Sequence, residues 1–192
     1  LGEPVGALTT GLTQWLQGMQ QGSIVMLAVI MGLMLAFDMG GPINKVAYAF
    51  MLICVAQGVY TVVAIAAVGI CVPPLGLGLA TLVGRKNFSS EEREAGKAAL
   101  VMGCVGVTEG AIPFAAADPL RVIPSIMLGS ACGAATAALF GAQCYAGWGG
   151  LIVLPVVEGK LGYVAAVAVG AVVTAICVNV LKSLARKNVS QT

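Results

Sequence analysis

Long apolar segments separated by short polar ones give this chain its pattern. The segments 122–142 and 161–181 are each 21 residues long, and about 20 apolar residues suffice for a helix to cross a bilayer. A longer apolar stretch, 46–83, contains Pro73-Pro74, which predicts a break between a spanning part and a short remainder. Together with a shorter apolar run at 23–37, this region is predicted to cross the membrane in pieces.

Polar positions delimit the remaining segments. The first segment repeats apolar residues at helical spacing opposite Thr and Gln side chains, which predicts an amphipathic interfacial helix. The charged segment after Val83 contains Ser89 and Ser90 before acidic residues, which indicates a helix start. The predicted order is an amphipathic helix at 1–22, membrane segments at 23–83 with a loop at Asp38–Lys45, a loop at 84–97, a re-entrant hairpin at 98–121, two spans at 122–181 and a polar tail at 182–192.

Composition makes lipid the natural solvent of this chain. Hydrophobic residues make up 59% and charged residues 9% of 192 positions, and the mean hydropathy is +0.97. A soluble domain carries about 25% charged residues. We therefore predict an all-α polytopic membrane protein with broken helices and re-entrant hairpin loops. Because the chain starts at Leu1 without a signal-peptide pattern, we expect a segment of a longer or processed protein.

Several kinds of chemistry are excluded by residue counts. Histidine is absent, which excludes a Ser-His-Asp triad and an imidazole zinc site within this chain. The net charge of +2 provides no basic surface for nucleic acid. The six cysteines form no C-x-x-C pair and mostly occupy apolar runs, so we predict small apolar residues rather than disulfides or a metal site. No cofactor is expected.

Basic residues predict the orientation in the membrane. Five of them occur between Arg85 and Arg121 and three in the tail, whereas Lys160 stands alone between the last two spans. The positive-inside rule then places 84–97, Arg121 and the tail in the cytoplasm. This orientation requires 98–121 to enter and leave the membrane on the cytoplasmic side. Asp118 and Arg121 are predicted to form an ion pair that caps the following span, with phosphate recognition as the alternative.

Two carboxylates within apolar surroundings are the main candidates for chemistry. Insertion of a carboxylate costs about 2.5–3.5 kcal/mol at the centre of a membrane helix, so such residues usually serve a function. Glu109 lies at the middle of the predicted hairpin and Asp38 at the end of an apolar run, and each precedes a proline by four residues. Broken segments with polar tips form binding sites near the membrane midplane in many transporters. The alternative for Glu109 is a carboxylate satisfied by the N–H groups of its own loop.

Neighbouring polar and glycine positions complete the candidate site. A carboxylate accepts strong hydrogen bonds from hydroxyl groups, which suits a sugar ligand. Asn44 and Lys45 are candidates for further hydroxyl contacts, with a solvated loop end as the equal alternative. The predicted substrate-binding set comprises Asp38, Gly40, Gly41, Asn44, Lys45, Thr108, Glu109 and Gly110.

Two motifs carry a resemblance to a known family. The segments Phe37–Lys45 (FDMGGPINK) and Val107–Phe114 (VTEGAIPF) resemble those of the membrane-embedded IIC component of bacterial phosphotransferase-system sugar permeases, fructose type. The resemblance covers all 192 residues and implies the C-terminal, sugar-binding part of a longer domain. It is specific for the family and not for the sugar.

The resemblance implies sugar transport across the bacterial inner membrane coupled to phosphorylation. It implies that Glu109 binds the sugar hydroxyl that is phosphorylated and assists as a base. The phosphoryl donor is a cysteine or histidine of a cytoplasmic IIB domain, charged in turn by IIA, and no residue of this chain supplies it. The lipid bilayer and a second copy of the chain, in a homodimer, are the other implied partners.

Two other functional classes stay open at this point. An ion-coupled secondary transporter would use Asp38 and Glu109 as cation or proton sites. A membrane scaffold without transport activity would bind no ligand and gain no stability from one.

Overall fold

The computed structural model describes residues 23–189, together with Gly11 and Gln14. Apart from those two positions, the amphipathic helix predicted over 1–22 lies outside the described residues, as does the end of the tail at 190–192. Helices dominate the described range: α1 (Ile24–Phe37), α2 (Pro42–Ala56), α3 (Tyr60–Val83), α4 (Ser90–Val105), α5 (Ile112–Ala117), α6 (Pro119–Leu139) and α7 (Lys160–Val189), with 3-10 turns at Arg85–Asn87, Thr108–Ala111 and Leu151–Val156 and an antiparallel pair of two-residue strands, β1 (Gln143–Cys144) and β2 (Val157–Glu158).

Three of the described helices are long and apolar enough to cross a membrane, namely Tyr60–Val83, Pro119–Leu139 and Lys160–Arg186. Helices α1 and α2 are apolar but have only 14 and 15 residues. At about 1.5 Å per residue each is shorter than the roughly 30 Å of bilayer hydrocarbon. The protein is therefore an all-α membrane protein that contains broken helices, as the hydrophobic pattern predicts.

Helix α3 lies at the centre of the bundle. Within its apolar window 94% of residues are buried, and α1, α4, α6 and α7 all pack against it. The predicted break at Pro73-Pro74 is wrong, because α3 continues through both prolines. The chain breaks instead after α2, where Gly58 has a φ of +76°. Membrane helices tolerate proline where neighbouring side chains bond the backbone carbonyls that proline leaves unpaired. Such side chains are present beside α3.

Small residues allow α3, α6 and α7 to pack closely. A Cβ atom at Gly129 of α6 would lie 2.6 Å from the Gly170 carbonyl of α7, and one at Gly133 would lie 3.1 Å from the Ala166 carbonyl. Gly76 of α3 faces Thr174 of α7 in the same way. Small residues four positions apart therefore lie where these helices contact each other, as is common between membrane helices.

Charged residues of three segments meet at the C-terminal end of α3. Ser89 starts α4 with a capping box, in which its hydroxyl accepts from the Glu92 N–H at 3.1 Å and Glu92 accepts from the Ser89 N–H at 2.8 Å. Lys182 of α7 bonds the other Glu92 oxygen at 2.5 Å. The predicted Asp118–Arg121 pair is present at 2.9 Å. The basic segments that are predicted to be cytoplasmic thus share one end of the bundle.

Candidate functional site

A tight turn joins α1 to α2 and places Asp38 beside the first turn of α2. Met39 and Gly40 have positive φ values of +46° and +103°, and Pro42 occupies a first-turn position where its missing N–H has no cost. The half-buried Asp38 carboxylate accepts from the backbone N–H groups of Ile43 at 2.7 Å and Asn44 at 2.9 Å. Asp38 therefore satisfies two of the unpaired donors at the start of α2.

The side chain of Asn44 ties the start of α2 to the end of α1. Its amide nitrogen donates to the Leu35 carbonyl at 2.5 Å, and the side chain is buried. Because this carbonyl lies in the last turn of α1, it has no partner within its own helix. Asp38 and Asn44 together fix the angle between the two short helices.

A second turn places Glu109 between α4 and α5. Gly106 ends α4 with a φ of +86°, and a 3-10 turn over Thr108–Ala111 follows before α5. Thr108 is buried and its hydroxyl donates to the Ile70 carbonyl of α3 at 3.1 Å. Gly110 packs against α3, since a Cβ atom there would lie 3.1 Å from the Pro74 Cβ. Its φ is not positive, so the chain reverses at Gly106 rather than at Gly110.

The two turns meet at Gly40 and Glu109. A Cβ atom at Gly40 would lie 2.5 Å from Glu109 Oε1, so the carboxylate rests against the glycine backbone. The Glu109 side chain is exposed to the space beside it, and within residues 23–189 it makes no hydrogen bond or ion pair. A cavity of about 210 Å³ lies at this junction and is lined by Gly40, Asn44, Lys45, Tyr48, Ile70, Gly106, Thr108, Glu109 and Trp148.

The depth of the cavity follows from Ile70, which lies near the middle of α3. At about 1.5 Å per residue, Ile70 is roughly 15 Å from the start of α3 at Tyr60 and roughly 20 Å from its end at Val83. The cavity is therefore far from both ends of the central membrane helix. A cavity that contains a carboxylate at this depth is typical of transport sites.

Two aromatic side chains form a wall of this cavity that sequence analysis missed. Trp148 belongs to the connection between α6 and α7, and its indole N–H donates to the Val105 carbonyl at the end of α4, 2.7 Å away. Tyr48 of α2 donates to the Gly147 carbonyl at 3.0 Å, and the two rings contact edge to face with centroids 6.2 Å apart. The only available signal was the rarity of tryptophan, which occurs twice in 192 residues.

The connection between α6 and α7 reaches inward because glycines replace side chains there. A Cβ atom at Gly149 would lie 2.8 Å from Ile70 Cβ, and the Gly150 carbonyl accepts from the buried Tyr163 hydroxyl at 2.8 Å. Glu158, by contrast, lies on the exposed side, where it accepts from Tyr145 at 2.7 Å and raises the pKa of that phenol.

The cavity gathers five of the eight predicted binding residues. Gly40, Asn44, Lys45, Thr108 and Glu109 line it. The other three lie just behind: Gly41 faces the Asp38 carboxylate, Asp38 bonds α2, and Gly110 faces Pro74. Lys45 is exposed and adds a positive charge to the lining that also contains the Glu109 carboxylate. No cluster of three Cys, Asp or Glu side chains suited to a metal ion occurs among the described residues.

Comparison with known proteins identifies homologues along the whole chain. It is 92% identical over 192 residues to a fructose-like permease IIC component 2 of Escherichia coli, covering all of this chain and 54% of that protein. It is 50% identical over 184 residues to the fructose-specific EIIB'BC component of the phosphotransferase system of Xanthomonas campestris, covering 94% of this chain and 32% of that protein. A fructose permease IIC component of Bacillus amyloliquefaciens is 42% identical over 179 residues, with coverages of 93% and 59%.

These matches cover the chain almost completely and each relative only in part. The chain spans about half the length of the fructose-like permease component, and a third of the longer relative that carries other components. No family model and no solved structure matches the chain. The similarity to these relatives runs through both turns that form the cavity, and along its whole length the chain is a homologue of IIC components of fructose-type permeases of the phosphotransferase system.

Proposed function

We propose that the cavity at Glu109 binds fructose or a fructose-like sugar for transport coupled to its phosphorylation. The observation that carries this proposal is the exposed Glu109 carboxylate, which lines a cavity near the middle of α3 and is bonded by no other described side chain. A carboxylate at this position accepts hydrogen bonds from two neighbouring sugar hydroxyls, and charge-assisted bonds are the strong ones.

The size and walls of the cavity suit a small sugar. Pockets for drug-sized ligands hold roughly 300–1,000 Å³, and this one holds about 210 Å³. Tyr48 and Trp148 offer apolar ring surface to the C–H groups of the sugar, while Glu109 and Lys45 serve its hydroxyls. Asn44 donates one N–H to Leu35 and keeps its side-chain oxygen and second N–H for the ligand, whereas the only hydrogen of the Thr108 hydroxyl is donated to Ile70.

Asp38 has a different role in this proposal. Both of its oxygens already accept from the amides of Ile43 and Asn44. We assign it the positioning of α2, which carries Lys45 and Tyr48 to the cavity, and we assign the sugar to Glu109. The absence of a side chain at Gly40 leaves room for the Glu109 carboxylate, and its absence at Gly41 leaves room for that of Asp38. Gly110 lets the Glu109 turn pack against α3.

The phosphoryl group comes from outside this chain. A sugar hydroxyl attacks the phosphorus of a phosphocysteine or phosphohistidine on a IIB domain, the new O–P bond forms as the S–P or N–P bond breaks, and Glu109 accepts the hydroxyl proton. Names of relatives support such partners, since the Xanthomonas protein is an EIIB'BC component and one from Bacillus subtilis is an EIIABC component. A homodimer stays a prediction.

The location and topology complete the proposal. We place the protein in the bacterial inner membrane with several crossings and put the charged end at Glu92, Arg121 and Lys182 in the cytoplasm, where a IIB domain docks. The grouping of basic residues at that end supports this orientation. The segment 98–121 then forms a re-entrant hairpin whose tip is Glu109. The 3-10 turn at Glu109, followed by the short helix α5, supports this path.

Glu109→Gln tests the sugar site because it keeps the size of the side chain and removes its charge. A hydrogen bond to a charged group contributes about 1.5–3 kcal/mol, so sugar affinity is expected to fall roughly tenfold to a hundredfold. If Glu109 also accepts the proton, phosphorylation falls further than binding, and Glu109→Asp fails as well. Affinity and phosphoenolpyruvate-dependent phosphorylation are measured on the purified full-length permease.

The matched control is Glu94→Gln, which removes an equivalent charge from an exposed surface pair with Lys97. It is expected to leave both quantities unchanged. Wild-type affinity and rate in Glu109→Gln would refute the site. Uptake of unmodified sugar without phosphoenolpyruvate or a IIB partner would favour the ion-coupled transporter instead.

A further inference from the structure

Two adjacent prolines remove two backbone donors from the middle of α3. In an α-helix the N–H of each residue bonds the carbonyl four residues earlier, and proline has no N–H. Pro73 therefore leaves the Gly69 carbonyl without its helical partner, and Pro74 leaves that of Ile70. Unpaired carbonyls cost several kcal/mol each inside a membrane, so a helix that keeps both prolines needs donors from elsewhere.

Side-chain hydroxyls of two different elements supply these donors. Thr108 Oγ1 donates to the Ile70 carbonyl at 3.1 Å, and Ser130 Oγ of α6 contacts the Gly69 carbonyl at 3.4 Å. Both hydroxyls are buried. Each freed carbonyl thus has its own hydroxyl partner. The chemistry is the same in the two cases, but Ser130 joins α3 to another long helix, whereas Thr108 joins α3 to the turn that carries Glu109.

The Glu109 turn is attached to α3 on both sides of the carboxylate. Thr108 bonds the Ile70 carbonyl, and Gly110 lies against the Pro74 ring with no side chain between them. Pro74 therefore acts twice, since it frees the acceptor for Thr108 and forms the surface under Gly110. Glu109, between these two attachments, lines the cavity.

We infer that Thr108 is a positioning residue that holds Glu109 against the sugar cavity by bonding the carbonyl that Pro74 frees. The hydrogen of the Thr108 hydroxyl is committed to Ile70, so the residue acts on the sugar through Glu109. This inference rests on the proposed sugar site for its effect on affinity. Its structural part, the anchoring of the turn, is measurable without any sugar.

The test compares Thr108→Val, which keeps the shape of the side chain and loses the hydroxyl, with Thr108→Ser, which keeps the hydroxyl. In the full-length permease we expect Thr108→Val to speed hydrogen–deuterium exchange of the amides at 107–112. Sugar affinity is expected to fall roughly tenfold, as for loss of an anchoring hydrogen bond in a preorganised site. Thr108→Ser restores both measurements to nearly wild-type values. Wild-type exchange in Thr108→Val overturns the inference.

Pro74→Ala distinguishes the positioning of Glu109 by Thr108 from the mere pairing of the Ile70 carbonyl. Alanine at position 74 supplies a backbone N–H that bonds this carbonyl within the helix. In the double variant Thr108→Val/Pro74→Ala, we expect thermal stability to recover, while exchange at 107–112 stays fast and affinity stays low. Recovery of affinity and slow exchange in that double variant would reduce Thr108 to a donor for α3 alone.

Ser130→Ala is the matched control, since it removes the other hydroxyl that serves a proline-freed carbonyl. It is expected to lower thermal stability while exchange at 107–112 and sugar affinity stay unchanged. Faster exchange at 107–112 in Ser130→Ala would contradict a specific role of Thr108. If Glu109→Gln binds sugar normally but Thr108→Val still loosens the turn, the sugar site fails and the anchoring stands.

Discussion

Asp38 and Glu109 each precede a proline by four residues, but their carboxylates have different partners in the folded chain. Asp38 is half-buried and accepts from two amides of α2 at 2.7 and 2.9 Å. Glu109 lies on a 3-10 turn, is exposed to a cavity and bonds no described side chain or amide. The same local spacing thus produces one carboxylate that stabilises a helix and one that is available to a ligand.

The difference comes from the geometry after each acid. The turn after Asp38 passes through two residues with positive φ and brings the first amides of α2 back over its carboxylate. After Glu109 the chain continues forward in a 3-10 turn into α5, so no amide of the next helix reaches the side chain. Turn geometry therefore decides whether a membrane carboxylate accepts hydrogen bonds from nearby backbone amides or stays available to a ligand.

The largest expected effect distinguishes the two acids by stability. Asp38→Ala leaves two donors of α2 unpaired and is expected to lower the free energy of unfolding by about 2 kcal/mol. Glu109→Ala removes no hydrogen bond or ion pair within residues 23–189 and is expected to change it by less than about 0.5 kcal/mol. Thermal unfolding in detergent measures both. Equal losses would remove the distinction between the acids.

Adjacent glycines provide the second comparison. A Cβ atom at Gly40 would lie 2.5 Å from a Glu109 oxygen, and one at Gly41 would lie 2.6 Å from an Asp38 oxygen. Gly40→Ala, which also strains a φ of +103°, is expected to weaken sugar binding roughly tenfold, or about 1.4 kcal/mol. Gly41→Ala is expected to lower stability by about 1 kcal/mol with affinity nearly intact.

Isothermal titration with fructose and thermal unfolding of the same preparations separate the two outcomes. Loss of affinity in Gly41→Ala at normal stability would mean that Asp38 contacts the sugar, and the contrast with Glu109 would be lost. Retention of full affinity in Gly40→Ala would place the sugar away from the Glu109 carboxylate.

Sequence patterns predicted the elements whose determinants are local. The spans at α6 and α7, the helix start at Ser89 and the pairing of Asp118 with Arg121 all follow from apolar length, capping and short charge spacing. These features depend on residues close together in the chain, so one sequence suffices to find them.

Features that depend on distant partners were not predictable in this way. Pro73-Pro74 looks like a helix break until two hydroxyls are known to donate to α3, that of Thr108, 34 residues beyond Pro74, and that of Ser130, 57 residues beyond Pro73. The cavity wall at Trp148 depends on a connection that folds inward onto Ile70. The candidate site was found because its two turns carry recognisable motifs, whereas the allocation of hydrogen bonds within it required the fold.

Smaller effects are expected at the aromatic wall of the cavity. Trp148 bonds the end of α4, which leads into the Glu109 turn, and Tyr48 belongs to α2, the helix that Asp38 caps. Trp148→Phe loses the hydrogen bond to Val105 and is expected to weaken sugar binding about fivefold, close to the ~1 kcal/mol of a typical hydrogen bond. Tyr48→Phe is expected to weaken it about twofold, because α2 still holds the ring. Titration with fructose measures both, and the reverse order would assign the larger role to the α2 side.

The smallest expected effect concerns Lys45, which lines the cavity from α2 and is exposed. Its ammonium forms no ion pair with Glu109 or another acid within residues 23–189, and exposed charges interact weakly across water, typically by 0–1 kcal/mol. Lys45→Gln is therefore expected to change sugar affinity by less than about threefold, and added salt is expected to reduce the difference further. Lys45→Glu, which adds a second negative charge beside Glu109, is expected to weaken binding more than Lys45→Gln. A loss above about thirtyfold in Lys45→Gln, or about 2 kcal/mol, would make Lys45 a direct sugar ligand and would transfer part of the binding role from the Glu109 turn to α2.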